Sequence, residues 1–345
     1  MQYNENLIKY YMNSKVVEDL KAINTIRKCT TPANFATNFD YANMEDEYFC
    51  LMPACNLTSE THTITFENSG TDFIKQIFEQ EVDDDTLVVS TKYEHNSVVD
   101  ELNKCKHVLL LDYNNDILNR GLHLTALADK MAGYKKVFIY IIGTQISTGQ
   151  ITPQGFFVDL KEELEKRNIE HKILLDDVHG MFMVPRDYSL FDYILYTAHA
   201  IIPEFEMGML ISKDGEYGYE AYNWGIEYLP KLKKLLENKA ELMYFKTIMT
   251  EYFYHFLCRP ELSLYPHSVN HIFAFRTENL YFTDNDYEEL KKYGIAISEH
   301  HTPISFIRIR FQEFLLQDLE TALTGLQVLA KKLVKAIAVA KIKGE

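Results

Sequence analysis

The stretch "KILLDDVHG", residues 172–180, decides the fold. Its apolar core is continuous rather than alternating, which suits a strand covered by helices on both faces. It ends abruptly in two carboxylates, an imidazole and a glycine. Acidic side chains are almost never fully buried unpaired, so a carboxylate that closes an apolar strand needs a cationic or hydrogen-bonding partner. In parallel α/β sheets ligands sit beyond the carboxyl ends of the strands, which makes this end the place to look for a site.

The same grammar recurs on both sides. Short runs rich in Val, Ile, Leu and Tyr appear at "TLVVS" (86–90), "HVLLLD" (107–112), "KVFIYIIG" (136–143), "DYILYT" (192–197) and "GMLIS" (208–212). Helical patterns such as "HLTALADKMAG" (123–133) and "FVDLKEELEKRN" (157–168) lie between them. Strands alternating with helices of this length predict a mostly parallel α/β sheet. From Leu229 the pattern changes to a long helical stretch with Pro230 near its start, where a missing amide costs little. Beyond it a second unit is expected, with strands at 270–277 and 305–311, a helix at 285–294 and a last helix over 317–340. No internal repeat or low-complexity tract interrupts this order.

At 345 residues and 47% hydrophobic content, the chain is long enough for one large α/β domain and a smaller one. A formal charge of −15 argues against electrostatic binding of nucleic acid or anionic lipid. The five cysteines form an odd set without a C-x-x-C pair, so neither a disulfide framework nor a zinc knuckle is expected. The apolar runs are far shorter than the roughly 20 residues of a membrane span, and the N-terminus lacks a signal-peptide core; the expected location is cytoplasmic.

Four polar clusters end the strand runs. "FENSGTDFIKQIF" (66–78) places a Ser69-Gly70-Thr71 turn at the start of an apolar-periodic helix. There free amides suit a phosphate, although a plain helix cap uses the same letters and Asp72 is an awkward neighbour. "STKYEHNSVVDEL" (90–102) carries His95 between a strand and a helix, where an imidazole can lie over a flat ligand or simply cap the helix. "ILLDDVHGMF" (173–182) holds Asp176, Asp177 and His179, and "LYTAHAIIPEFEMG" (195–208) holds Thr197 and His199 followed by the bare methyl of Ala200. Farther on, Arg308 and Arg310 in "FIRIRF" share one strand face; arginine there suits a bidentate grip on a carboxylate, and equally an inter-domain ion pair. His300 and His301 have no clear partners, and no metal site is expected.

In order and spacing these clusters resemble the pyridoxal-phosphate enzymes of fold type I, within the class V aminotransferase and cysteine-desulfurase group, over about residues 63–329. The resemblance implies a large domain at 46–235 with a seven-stranded-type sheet, a linking helix and small α+β domain at 236–345, and an N-terminal segment at 1–45 packing on the small domain. It implies a cytoplasmic homodimer acting on an amino-acid substrate, with pyridoxal 5'-phosphate or its amine form, pyridoxamine phosphate, as cofactor. Carried over residue by residue, Ser69, Gly70 and Thr71 would hold the cofactor phosphate and His95 would stack on the ring. Gln145, in "GTQISTGQITP", would lie near the ring oxygen and His179 near the ring hydroxyl. Asp176 would pair with the ring nitrogen, unless the register slips to Asp177. Thr197 and His199 would be further cofactor neighbours, and Arg308 would bind the substrate carboxylate. A carboxylate beside the ring nitrogen is worth about 1.4–4 kcal/mol in favour of the protonated ring, which is what makes the ring an electron sink.

Two departures from the group's pattern matter. Ala200 stands where the group has the lysine that carries the cofactor covalently and then moves the substrate proton. Loss of the acid–base share alone costs about 10²–10⁴ in rate. Three readings stay open: a working enzyme whose lysine was replaced to trap the cofactor–substrate complex, a natural enzyme that binds its cofactor noncovalently and uses a neighbour such as His199, or a non-catalytic descendant kept for binding. In the second departure, Thr302 stands where one desulfurase subgroup has its sulfur-accepting cysteine, which disfavours desulfuration. Transamination, decarboxylation, elimination and racemisation remain open.

Overall fold

The computed structural model describes residues 61–67, 69–92, 94–118, 124–145, 149–180, 186–197, 208–213, 272–276, 280–300, 306–310 and 319–343, together with Leu57 and Val184. Seven strands form one sheet: β1 (Thr63–Glu67), β2 (Thr86–Thr91), β3 (His107–Leu111), β4 (Lys136–Ile142), β5 (Glu170–Asp176), β6 (Tyr193–Thr197) and β7 (Gly208–Ser212). Their order is β1-β7-β6-β5-β4-β2-β3, parallel from β3 through β6, with β7 antiparallel to both β6 and β1. Each of the six strand runs read from the sequence is a strand here. The sheet is mostly parallel, as the continuous apolar runs require.

Burial along the strands follows position in the sheet. Val137 through Ile142 of the central β4 are all buried, whereas β3 at the edge alternates and leaves Val108 and Leu110 37% and 46% exposed. The connecting helices are α1 (Gly70–Glu81), α2 (Asn96–Leu102), α3 (Leu124–Met131) and α4 (Gln154–Lys166). Phe73, Ile74, Ile77 and Phe78 form the apolar stripe of α1, and they meet Phe138 and Tyr140 of β4, Leu174 of β5, Leu195 of β6 and Leu210 of β7 in one core. Burying a side chain of this size is worth about 1.5–3 kcal/mol, so this stripe fixes where the helix starts relative to the strand ends.

A separate antiparallel sheet has the order β8-β10-β9, with β8 (Ile272–Arg276), β9 (Ala296–His300) and β10 (Phe306–Arg310). It is accompanied by α5 (Asp284–Lys291) and α6 (Leu319–Lys343). Thr283 and Asp286 form a capping box at the start of α5, and Asp286 binds Lys332 of α6 at 2.6 Å, tying the two helices together. Two strands escaped the sequence reading. β1, "TITFE", is a short edge strand of alternating pattern, and β9, "AISEH", has no apolar run at all. The proposed N-terminal segment 1–45, the long helical stretch from Leu229 and the limit at 235/236 lie outside the described residues. No helix among the described residues is long and apolar enough to cross a membrane.

Candidate functional site

A pocket opens at the carboxyl ends of β4, β5 and β6. It encloses about 550 Å³ including its open mouth and is lined by Ser69, Gly70 and Thr71 of the α1 start, His95 and Ser97 of the α2 start, and Asp176, His179 and Thr197. Ile142, Val178, Leu195 and Ile74 supply apolar walls. That mixture suits a partly apolar ligand held by a few polar groups. Seven of the residues singled out in the sequence therefore share one cavity.

The α1 start is built by close approach. Ser69 is the N-cap, its hydroxyl accepting from Asp72 N at 3.3 Å and donating to the Asp72 carboxylate at 2.7 Å. Asp72 thus turns toward the cap rather than away from it. A Cβ on Gly70 would lie 2.7 Å from Thr197 Cγ2, and one on Gly208 would lie 2.6 and 2.7 Å from the Ser69 carbonyl carbon and oxygen. Gly208 faces Thr197 across the β6–β7 register, so the helix start is wedged directly over these strand ends. The amides of a first helical turn have no partners within the helix and carry the positive end of its dipole. Gly208→Ala is expected to lower stability by about 1–3 kcal/mol, because backbone rather than a flexible side chain must move. A chemical-denaturation midpoint measures it, and a midpoint equal to that of the unsubstituted protein would contradict the packing.

His95 is the N-cap of α2, and its Nδ1 lies 2.8 Å from Ser97 Oγ. The capping role and the place in the pocket wall are compatible, since the cap occupies one ring edge only. Burial, and secondarily the positive charge of Arg308, hold the His95 pKa below its ordinary value, so the ring is neutral near pH 7. Arg308 itself is buried on β10 and donates to Ser298 Oγ at 3.3 Å. Burial and the neighbouring Arg310 pull its pKa down to about 10. Arg308 is near His95 electrostatically but is not among the residues lining the pocket.

The two carboxylates at the end of β5 separate cleanly. Asp176 lines the pocket; its Oδ2 accepts from Tyr140 Oη at 2.5 Å and its Oδ1 from Val178 N at 3.1 Å. Burial raises its pKa to about 6, with Asp177 adding to the rise and the two donors opposing it. Asp177 points the other way, into a dry cluster in which Arg186 Nε (3.2 Å) and Tyr188 Oη (2.7 Å) donate to it. The remaining Arg186 donors reach the Gly143 and Thr152 carbonyls at 2.6 and 3.0 Å. Gly143 and Gly180 are required there, since a Cβ on either would fall within 2.3 Å of Asp177 Oδ1. Of the two, Asp176 lines the pocket and Asp177 does not.

Gln145 is turned inward. It is fully buried, donates from Nε2 to Thr91 Oγ1 at 3.1 Å, and does not line the pocket. Thr197 does, and among the described residues its buried Oγ1 has no hydrogen-bond partner, leaving a hydroxyl available to a ligand. His199, Ala200, His301 and Thr302 lie outside the described residues. The described residues contain no cluster suited to a metal ion. Sequence reading missed Tyr140 and Arg186. The available signal was that a tyrosine inside a fully apolar central strand needs a partner for its hydroxyl, and a buried carboxylate such as Asp177 needs a cation.

No protein-family model and no curated protein sequence matches the chain. Among solved structures it resembles a NifS-like protein from Rickettsia africae, at 14% identity and a TM-score of 0.62, over 85% of this chain and 91% of that one. It resembles a lysine-to-alanine mutant of C-DES with glycine covalently linked to its PLP cofactor, at 15% identity and 0.62, over 91% and 92%. A lysine-to-alanine serine palmitoyltransferase from S. paucimobilis with bound PLP and myriocin matches at 12% identity and 0.60, over 93% and 83%. At these identities the likeness is one of fold, and the mixed α/β fold with its large, mostly parallel, helix-covered sheet agrees with the fold type I expectation.

Proposed function

We propose that this protein binds pyridoxal 5'-phosphate or pyridoxamine phosphate in the pocket above β4–β6 and belongs to the enzymes that use it on amino acids, as transferase or lyase. The observation that carries the reading is the convergence of an anion-accepting helix start, a neutral imidazole, a carboxylate and a free buried hydroxyl in one cavity. Those groups fit the cofactor's chemistry: the amides of Gly70 and Thr71 suit a phosphate, and the Asp176 carboxylate suits a ring cation. Asp72 opposes a second anion near that helix start and holds the Ser69 hydroxyl proton, so the phosphate's donors there are the backbone amides. When bound, the cofactor supplies an electron sink for carbanion chemistry at an amino acid's α-carbon.

The chain's own residues would then divide the work. Ser69, Gly70 and Thr71 hold the phosphate; His95 covers one ring face without adding a competing charge; Asp176 keeps a proton on the ring nitrogen. His179 and Thr197 contribute polar contacts at the pocket wall, and Arg308 draws the substrate carboxylate. Ala200 offers no amine, so the chain would hold the cofactor noncovalently, with His199, its neighbour in sequence, as the group proposed to move a proton. A homodimer is the quaternary state proposed, by the resemblance alone.

The test is an absorbance titration with pyridoxal phosphate. A saturable change with a new band is expected, and its absence removes the cofactor assignment. In Ala200→Lys the cofactor should become fixed to residue 200 by borohydride, read as a mass increase on that peptide, with turnover of an amino acid appearing. A cofactor that binds Ala200→Lys but never becomes fixed would place the lysine position elsewhere.

A further inference from the structure

The pocket-lining Asp176 adjoins a buried group of polar side chains that the cofactor reading does not use. Glu94, adjacent to His95, accepts from Thr91 Oγ1 at 2.5 Å and from Thr91 N at 3.3 Å, both through Oε1. Thr91 Oγ1 in turn accepts from Gln145 Nε2. On the neighbouring strands Tyr140 donates to Asp176. The Glu94 carboxyl, the Asp176 carboxyl and the Tyr140 phenol feel one another electrostatically, with the Ser90 hydroxyl beside Glu94. Glu94, Asp176 and Tyr140 are all buried, and among the described residues no Lys, Arg or His forms an ion pair with either carboxyl.

Two negative charges cannot share such a place without a counter-ion. Asp176 has a donor on each oxygen and borders the open pocket, where charge is solvated or met by a ligand. Among the described residues the donors to Glu94 reach Oε1, its Oε2 is buried without a hydrogen-bond partner, and the residue does not line the pocket. We propose that Glu94 is a positioning residue held as the neutral acid, and that its neutrality, together with the Tyr140 hydrogen bond, assigns the single negative charge of this cluster to the pocket-facing carboxylate of Asp176. The functional meaning of that charge rests on the cofactor reading above, whereas the charge assignment belongs to the ligand-free protein. Burial, reinforced by Asp176 and opposed by the Thr91 hydrogen bonds and the Ser90 hydroxyl nearby, pushes the Glu94 pKa up to about 8, in keeping with the geometry.

The experiment is infrared spectroscopy of the ligand-free protein at pH 7. It follows the carbonyl stretch of a buried protonated carboxyl and compares unlabelled protein with protein labelled with ¹³C at the glutamate side-chain carboxyl. A band that moves with glutamate labelling, disappears in Glu94→Gln and persists in Asp176→Asn is expected. A band that ignores glutamate labelling, or that is lost in Asp176→Asn and kept in Glu94→Gln, puts the proton on Asp176 and overturns the proposal, as does the absence of any such band. The label needs no substitution, so a variant that fails to fold leaves the test intact.

A second readout separates this role from mere packing. A carboxyl whose folded pKa is raised gives stability present at low pH and lost as pH rises toward the folded value. Stability should therefore fall between about pH 5 and 8 by one bound proton's worth for Glu94, and Glu94→Gln should remove that one-proton slope while staying folded. An unchanged slope in Glu94→Gln contradicts the assignment. Failure of the protein to bind pyridoxal phosphate would sink the cofactor reading but not these ligand-free results.

Discussion

Asp176→Asn is expected to weaken pyridoxal-phosphate binding by roughly 10- to 1000-fold at pH 7.5, the range that corresponds to about 1.4–4 kcal/mol between a carboxylate and a neighbouring ring cation. The amide keeps the shape of the carboxyl, so the loss reports charge. One face of the new side chain must also present a donor, either to Tyr140 Oη or to Val178 N, where the carboxylate accepted from both. The pH dependence gives the prediction its sign. The charge of Asp176 is present above its pKa of about 6 and is lost as pH falls through that value. Affinity of the unsubstituted protein should drop on acidification across pH 7 to 5, and Asp176→Asn should lack that limb. Equilibrium titration at several pH values measures both. Equal affinity in the two proteins at pH 7.5 would remove Asp176 from the site, and an equal loss in Asp177→Asn without loss of stability would show that the wrong carboxylate had been chosen.

The fold was legible because its strands are buried on both faces. "KVFIYIIG" and "KILLDD" cannot hide their apolar side chains in any other way, and they became β4 and β5 with little freedom of interpretation. The missed strands are those whose stability comes from a neighbour. β9 is "AISEH", held by pairing with β10, and nothing in its own letters requires a sheet. The site was legible for a related reason. Polar residues at the ends of apolar strands have few explanations, so Asp176 and Thr197 stood out, as did the turn at Ser69–Thr71. What stayed hidden were contacts between strands. Tyr140 is two residues upstream of Ile142, the residue paired with Asp176, and only the β4–β5 register shows that the phenol reaches the carboxylate. The direction of Gln145 was hidden too, because a loop amide has no preferred direction in sequence, and here it turns inward to Thr91.

Arg186→Ala is expected to destabilise the protein by about 3–5 kcal/mol, the cost of breaking a buried ion pair by removing one partner. The side chains of Arg186 and Asp177 are 1% and 0% exposed, so water cannot replace the lost guanidinium. The deletion leaves the Asp177 carboxylate, still bonded to Tyr188, without the cation it is buried against, and frees the Gly143 and Thr152 carbonyls in a dry interior. Those carbonyls belong to the turn after β4 and the segment leading into α4, so the loss spreads to the backbone that carries the strand end toward the pocket. Arg186→Lys recovers charge but not the three-way geometry, because an ammonium cannot reproduce the planar fork that serves a carboxylate and two carbonyls together. It should recover less than half of the loss. Pairing Arg186→Met with Asp177→Leu removes both charges, so the double variant should be more stable than Arg186→Ala alone. Denaturant midpoints of the four proteins decide the matter. A double variant no more stable than Arg186→Ala would mean that the carbonyl contacts, rather than the paired charge, hold this turn.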